Sequence, residues 1–343
     1  MNRVAIFVLF TSVIFWSCKK EESHSYVPVI SDPKWECVSA IDWFENIFVK
    51  DSIIYLIGLD WNYKIDSAGA ISRITPYSTF VSSNLNRRSK FSGKYLAQYR
   101  DNGNYLIVTD LKSPLVRIYI DLDSLSEYPG KLKCWGDFNN QNEFMISTQK
   151  GVAVKFSFSD NGDSIFYTTQ SVILDSINPA SDISKIQSSG QEFYISYKGS
   201  MYRYSNSFVT EFSEIHLSEM GTLNDTIYAS VYGSSIYSNG VIASVDQGQT
   251  WQQIVSNFRN DQYMHSYTAN KILLVDNTNR KIMQVYYDWS TSLSTIKIVN
   301  SNEKNDLFSN FRVVYRLLIF KEYIYAATSQ GLYRRKVSEL ELL

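Results

Sequence analysis

The chain has 343 residues and nearly balanced charge, with 33 Lys and Arg against 34 Asp and Glu, for a net charge of −1. That balance argues against a nucleic-acid partner, whose phosphates demand a basic face, and leaves no polybasic patch for a membrane surface. Aromatic residues make up 15% of the sequence, with 25 Tyr and 19 Phe but only 6 Pro; these strand-favouring residues, without long helical patterns, predict an all-β protein.

In chain order, Arg3 supplies a positive start, residues 4–16 form an apolar run of 13, and the small Ser17 precedes Cys18. Charge, apolar core and small residue in that order read as a secretory signal peptide. Thirteen residues are too few to span a bilayer comfortably. The cysteine at the cleavage point resembles the processing site of bacterial lipoproteins, although Phe15 stands where those proteins usually carry Leu. Lys19, Lys20, Glu21 and Glu22 resemble the start of lipoproteins from Bacteroidetes-type bacteria, in some of which a basic residue followed by two acidic ones directs the protein to the outer leaflet. The resemblance implies lipidation at Cys18, a membrane partner through that lipid, and an outer-membrane lipoprotein of the cell envelope. Surface exposure stays open, since the charges also suit a solvated spacer, and so does an ordinary signal peptide with a chance cysteine. Residues 1–17 thus read as signal peptide, 18–33 as a lipidated tether containing Pro28 and Pro33, and 34–343 as the folded domain.

Beyond Cys18 the cysteines are Cys37 and Cys134. An exported protein permits a disulfide between them; two small buried hydrophobes is the alternative. His24, His216 and His265 are scattered, so no metal site is expected.

Short apolar runs recur around Tyr55, Leu106, Met145, Tyr194, Tyr228, Leu273 and Tyr325. They lie 51, 39, 49, 34, 45 and 52 residues apart, a mean of 45. Several are followed by a glycine-containing turn and a second strand, as in residues 197–204, 232–237 and 329–334. Units of this length made of a few short strands are the period of β-propeller blades. Seven anchors predict about seven blades, with six or eight open and a β-sandwich as the competing architecture. The last unit is short of an outer strand, which residues 35–40 are placed to supply.

Ser244, Asp246, Gly248, Thr250 and Trp251 form the pattern Ser-x-Asp-x-Gly-x-Thr-Trp. It resembles the Asp-box of sialidases, sortilin-type receptors and photosystem assembly factors, all of them propellers. The resemblance implies a turn between the third and fourth strands of a blade, a fold staple rather than a catalytic site. Asp246 suits capping of turn N–H groups, Gly248 a positive φ, and Trp251 packing of the hairpin. Residues 101–103 and 160–162, both Asp-Asn-Gly, are at best decayed relatives.

A sialidase needs three converging arginines, a Tyr–Glu pair and an acid. Arg100, Arg117 and Arg203 offer one triad among many, Arg73-Ile74-Thr75-Pro76 departs from the family's Arg-Ile-Pro signature, and no carboxylate pair is assignable. Trp61, Trp135 and Trp289 suit sugar stacking or blade packing. The expectation is a lipid-anchored propeller, without catalytic set, cofactor or metal, that binds a glycan or an envelope protein through loops at its central funnel. A sialidase-like or other glycan-active enzyme is the alternative.

Overall fold

The computed structural model describes residues 26–28, 35–40, 44–50, 52–58, 62–74, 89–100, 103–113, 115–174, 181–205, 208–212, 217–223, 226–231, 239–256, 262–268, 271–288, 293–300, 307 and 313–339. Cys18, the signal peptide, Trp61, Trp289, His24 and His216 lie outside them.

Among the described residues seven sheets succeed one another along the chain. Blade one comprises Phe44–Lys50, Ile53–Gly58, Asn62–Ile65 and Ile71–Arg73. Blade two comprises Ser89–Phe91, Tyr95–Arg100, Tyr105–Asp110 and Arg117–Asp121. In blade three, Glu143–Gln149, Val152–Asp160 and Ile165–Ile173 are joined by a first strand reduced to two bridges, Cys134 to Ser147 and Phe138 to Phe144. Blade four has Lys185–Ser189, Glu192–Tyr197, Ser200–Ser205 and Phe208–Phe212. Blade five has Leu217–Leu223, Thr226–Val231, Gly240–Ser244 and Gln252–Ser256. Blade six has Gln262–Thr268, Lys271–Asp276, Lys281–Asp288 and Leu293–Asn300. Blade seven has Val314–Phe320, Tyr323–Thr328 and Gly331–Lys336.

Seven apolar cores, one between each pair of neighbouring blades, close these sheets into a ring. Tyr55 and Ile57 meet Leu96 between blades one and two, and Tyr95 and Ala97 meet Phe144 and Phe156 between two and three. Met145 and Ala153 pack with Phe193 and Ile195 between three and four, and Tyr194 packs with Ile227 and Ala229 between four and five. Tyr228 joins Ile272 and Leu274, Leu273 and Val275 join Ile324 and Ala326, and Tyr325 and Ala327 complete the circuit with Leu56 of blade one. Each second strand therefore sends alternate side chains to two neighbours, as its pleat dictates. Both faces being buried, the strand reads as a continuous apolar run. Burial of each such aliphatic side chain is worth about 1.5–3 kcal/mol. A two-sheet sandwich has no place for seven separate cores.

The N-terminal segment completes the last blade, with Glu36–Ser39 adding antiparallel to Gly331–Lys336 as its outer strand. Arg334 grips Glu36 in a two-pronged ion pair of 2.8 and 2.9 Å. Gly331 (φ +121°) sits where a Cβ would come within 2.1 Å of the Ser39 carbonyl oxygen, so the closing strand requires glycine there. Tyr26–Pro28, inside the stretch read as tether, instead pairs in parallel with Ile296–Ile298 and extends blade six to five strands. One anchor also moves. Leu106 lies on the third strand of blade two, and Leu96 holds the second-strand place that the other six anchors occupy.

First strands of neighbouring blades lie against one another, seen for blades four to seven and for seven with one, so they line the axis. First-to-second and third-to-fourth connections leave an antiparallel blade at the same end, which sets one rim of the ring apart from the other.

Candidate functional site

That rim carries the Ser244–Trp251 turn, which connects Gly240–Ser244 to Gln252–Ser256 as third and fourth strands of blade five. The Asp246 carboxylate accepts from Thr250 N–H (2.8 Å), the Thr250 hydroxyl (2.6 Å) and the Ser244 hydroxyl (2.8 Å). Ser244 Oγ in turn accepts from Gly248 N–H (2.7 Å), and the Trp251 indole N–H donates to the Gly248 carbonyl (3.0 Å). Burial works to raise the Asp246 carboxyl; the hydrogen bonds from Thr250 and Ser244 outweigh it and hold the group below the ordinary carboxylate range. Gly248 takes φ +84°, and a Cβ there would press on the Tyr194 ring at 3.2 Å. Trp251 is half-buried against the core shared by blades four and five. All five signature residues are thus engaged within the turn or its packing.

The same position in other blades repeats the device with different residues. In blade one, Asp66 Oδ1 accepts from Ala68 and Ala70 N–H (both 2.9 Å), the second bond spanning four residues as Asp246 to Thr250 does. In blade two, Asp110 Oδ1 accepts from Lys112 N–H (2.6 Å). In blade three, Asn161 Oδ1 accepts from Asp163 (3.1 Å) and Ser164 N–H (2.9 Å), so residues 160–162 do stand at the corresponding turn. Of the other Asp-Asn-Gly stretch, Asp101 and Asn102 lie outside the described residues, and Gly103 precedes the third strand of blade two, at the opposite end of the blade.

These turns also join blades. Tyr95, on the second strand of blade two, donates its hydroxyl to Asp160 in the turn of blade three, which Lys94 also pairs. The hydroxyl of Tyr194, on the second strand of blade four, lies 3.0 Å from the Glu192 carboxylate and 3.3 Å from the Gln247 carbonyl in the turn of blade five, to which Arg203 Nη1 donates (2.7 Å). Burial first, then the neighbouring carboxylates Asp160 and Glu192, push both phenols above their ordinary range, so they remain proton donors.

The candidate arginines do not converge. Arg100 pairs with Tyr105, opposite Asp121, at one end of blade two; Arg117 pairs with Thr109 at the other end, four residues away along the strand. Arg203 belongs to blade four and is engaged by the Gln247 turn. Trp135 is a packing residue, its ring against Phe144 (4.8 Å) and Tyr99 (6.3 Å). The possible disulfide is not formed: Cys37 is exposed on the outer strand of blade seven, and Cys134 is buried at the first strand of blade three. Membership of separate blades keeps them apart. Among the described residues no cluster of His, Cys, Asp or Glu is arranged to hold a metal.

A cavity of ≈ 310 Å³ lies among first strands from four blades. Ile47, Phe48 and Val49 come from blade one, Lys90 and Phe91 with Ser92 and Gly93 from blade two, Asp137 from blade three and Arg316 from blade seven. Phe48 stacks on Tyr55 (4.9 Å, 22°) and meets Phe91. Lys90 Nζ lies 3.8 Å from Asp137 Oδ1, which itself accepts from Phe138 N–H at 3.0 Å. Ring formation brings these residues together from positions 47 to 316, and none stands in a recognisable motif. Knowing which strand of each unit is innermost is the signal that singles them out.

No protein family and no curated protein matches this sequence. Solved structures resemble the fold at low identity. Virginiamycin B lyase from Staphylococcus aureus, in complex with quinupristin, is 11% identical, with a TM-score of 0.56 over 88% of this chain and 97% of that one. The extracellular domain of the putative hybrid two-component system BT4673 from B. thetaiotaomicron is 12% identical, with a TM-score of 0.54 over 88% of this chain and 39% of that one. PorZ, a surface component of the type-IX secretion system of Porphyromonas gingivalis, is 10% identical, with a TM-score of 0.53 over 89% of this chain and 38% of that one. Similar folds thus include surface components and an enzyme, and the likeness is one of fold alone.

Proposed function

We propose that this protein is a lipid-anchored binding or scaffold protein of the cell envelope, engaging a glycan or an envelope protein at the rim of its axial cavity. The observation that carries the reading is the cavity itself, a mixed apolar and charged recess on the axis of a rigid ring. Among the described lining residues the carboxylate is Asp137, which lies beside Lys90 rather than beside a second carboxylate, an arrangement that favours recognition over acid–base chemistry. The export signal, the cysteine at its end and the surface location of PorZ support the compartment. No helix among the described residues is long and apolar enough to cross a membrane, consistent with attachment through Cys18. The Asp-box reading of residues 244–251 fits as a staple that stiffens the ring.

Recovery of cross-linked partners from the native envelope tests the reading, with wild type compared with Lys90→Glu. Loss of one partner in the variant, at unchanged lipidation and melting temperature, supports it. Identical partners from both, or turnover of a glycan by the purified protein, refutes it.

A further inference from the structure

We infer that the axial cavity takes a carboxylate carried on a small apolar body. The inference rests on the binding reading above and names the chemistry of its ligand.

Charge comes first. Among the described lining residues, Lys90 and Arg316 are cationic and Asp137 is acidic. The 3.8 Å gap between Lys90 Nζ and Asp137 Oδ1 exceeds a hydrogen bond, and an ammonium has three donors, so Lys90 retains donor capacity toward the cavity. Asp137 is already served by the Phe138 N–H and does not require Lys90 as a donor. The lysine is 29% exposed, reachable by a ligand yet partly desolvated, a setting in which a charge-assisted hydrogen bond is stronger than in open water.

The remaining wall selects the body. Ile47, Phe48, Val49 and Phe91 supply apolar surface, and Phe48 is already stacked on Tyr55 and packed on Phe91. That arrangement suits an apolar group filling the recess better than a sugar ring, which needs an open aromatic face and several hydrogen-bond partners. The volume equals about ten waters at roughly 30 Å³ each, which admits a ligand of about ten non-hydrogen atoms. A free carboxylic acid of that size and the C-terminal carboxylate of a partner polypeptide present the same chemistry.

Titration calorimetry on the full-length protein in detergent distinguishes the sources, using 3-phenylpropionate, its amide, glucuronate, and a hexapeptide ending in Phe as free acid or amide. The expected result is binding of 3-phenylpropionate or of the acid hexapeptide at least about tenfold tighter than the matching amide, the scale of one charge-assisted hydrogen bond. Tighter binding of the hexapeptide assigns a polypeptide end, and tighter binding of 3-phenylpropionate a free acid. Lys90→Gln weakens the acid about tenfold and leaves the amide unchanged, while Asp137→Asn tightens the acid by removing a repelling charge, a gain that loss of folding cannot mimic. Equal affinity for acid and amide, preference for glucuronate, or no binding at millimolar concentration overturns the inference. If cross-linking still loses its partner in Lys90→Glu, the binding reading survives that outcome; if it does not, both fall.

Discussion

Replacing Asp246 with Ala removes three hydrogen bonds at once, from Thr250 N–H, the Thr250 hydroxyl and the Ser244 hydroxyl. A typical bond contributes about 0.5–1.5 kcal/mol net, and the exposed side of this turn lets water replace part of each. The sum is therefore about 1.5–2.5 kcal/mol, which for a domain of this size corresponds to roughly 3–5 °C in melting temperature at about 2 °C per kcal/mol. Asp246→Asn keeps Oδ1 as acceptor for Thr250 N–H and costs about 0.5–1 kcal/mol. Circular dichroism melts of the three proteins at pH 7 give the comparison, and the order wild type, Asn, Ala is the expected result. The turn also holds blade four through Tyr194, so Asp246→Ala and Tyr194→Phe together should cost less than the sum of their separate effects. An Asp246→Ala melting temperature within 1 °C of wild type, measured on the order of precision such melts allow, would sink the staple reading; unchanged melting with a lost partner would make the turn a contact site.

Tyr95→Phe deletes the hydroxyl that ties blade two to Asp160 of blade three and should cost about 1–2 kcal/mol in urea unfolding, with the slope unchanged. Glu143 binds Lys155, Asn139 and Ser157; burial acts to raise its pKa, and these bonds outweigh it and hold the carboxyl below its ordinary range. Its contribution is therefore complete above about pH 4.5 and lost as pH falls through the lower folded-state pKa, so the stability gap to Glu143→Gln should hold from neutral pH and close in acid. A gap that widens in acid contradicts this sign. In Cys18→Ala protein, which should leave the membrane fraction, maleimide should label exposed Cys37 in the folded state and buried Cys134 only after denaturation.

The ring was legible because second strands buried on both faces leave unbroken apolar runs, and six of seven anchors fall on them. Leu106 misled because the third strand of blade two, Tyr105–Asp110, carries a longer unbroken apolar run than the second, Tyr95–Arg100, which Gln98 interrupts. Closure by Glu36–Ser39 followed from counting strands in the last unit. The turn at Asp246 was visible since side chains fixed by local hydrogen bonds leave a local signature. Asp66 does the same work without Thr or Trp and was invisible for that reason. The cavity could not be read at all, because Phe48, Lys90, Asp137 and Arg316 meet only through ring closure. Residue type alone equally could not place the arginines, of which strand register sends Arg100 and Arg117 to opposite ends of one blade.

Recognition at the axial cavity is tested most directly by a photo-crosslinking residue placed in the living envelope at Gly93. That position is exposed on the cavity rim, has open space where a Cβ would lie, and leaves the lining side chains intact. The matched control is exposed Thr168 on the outer strand of blade three. A covalent partner captured from position 93 and absent from position 168 is the expected outcome. Capture from position 168 alone would contradict it and move the binding surface from the axis to the outer edge of the ring.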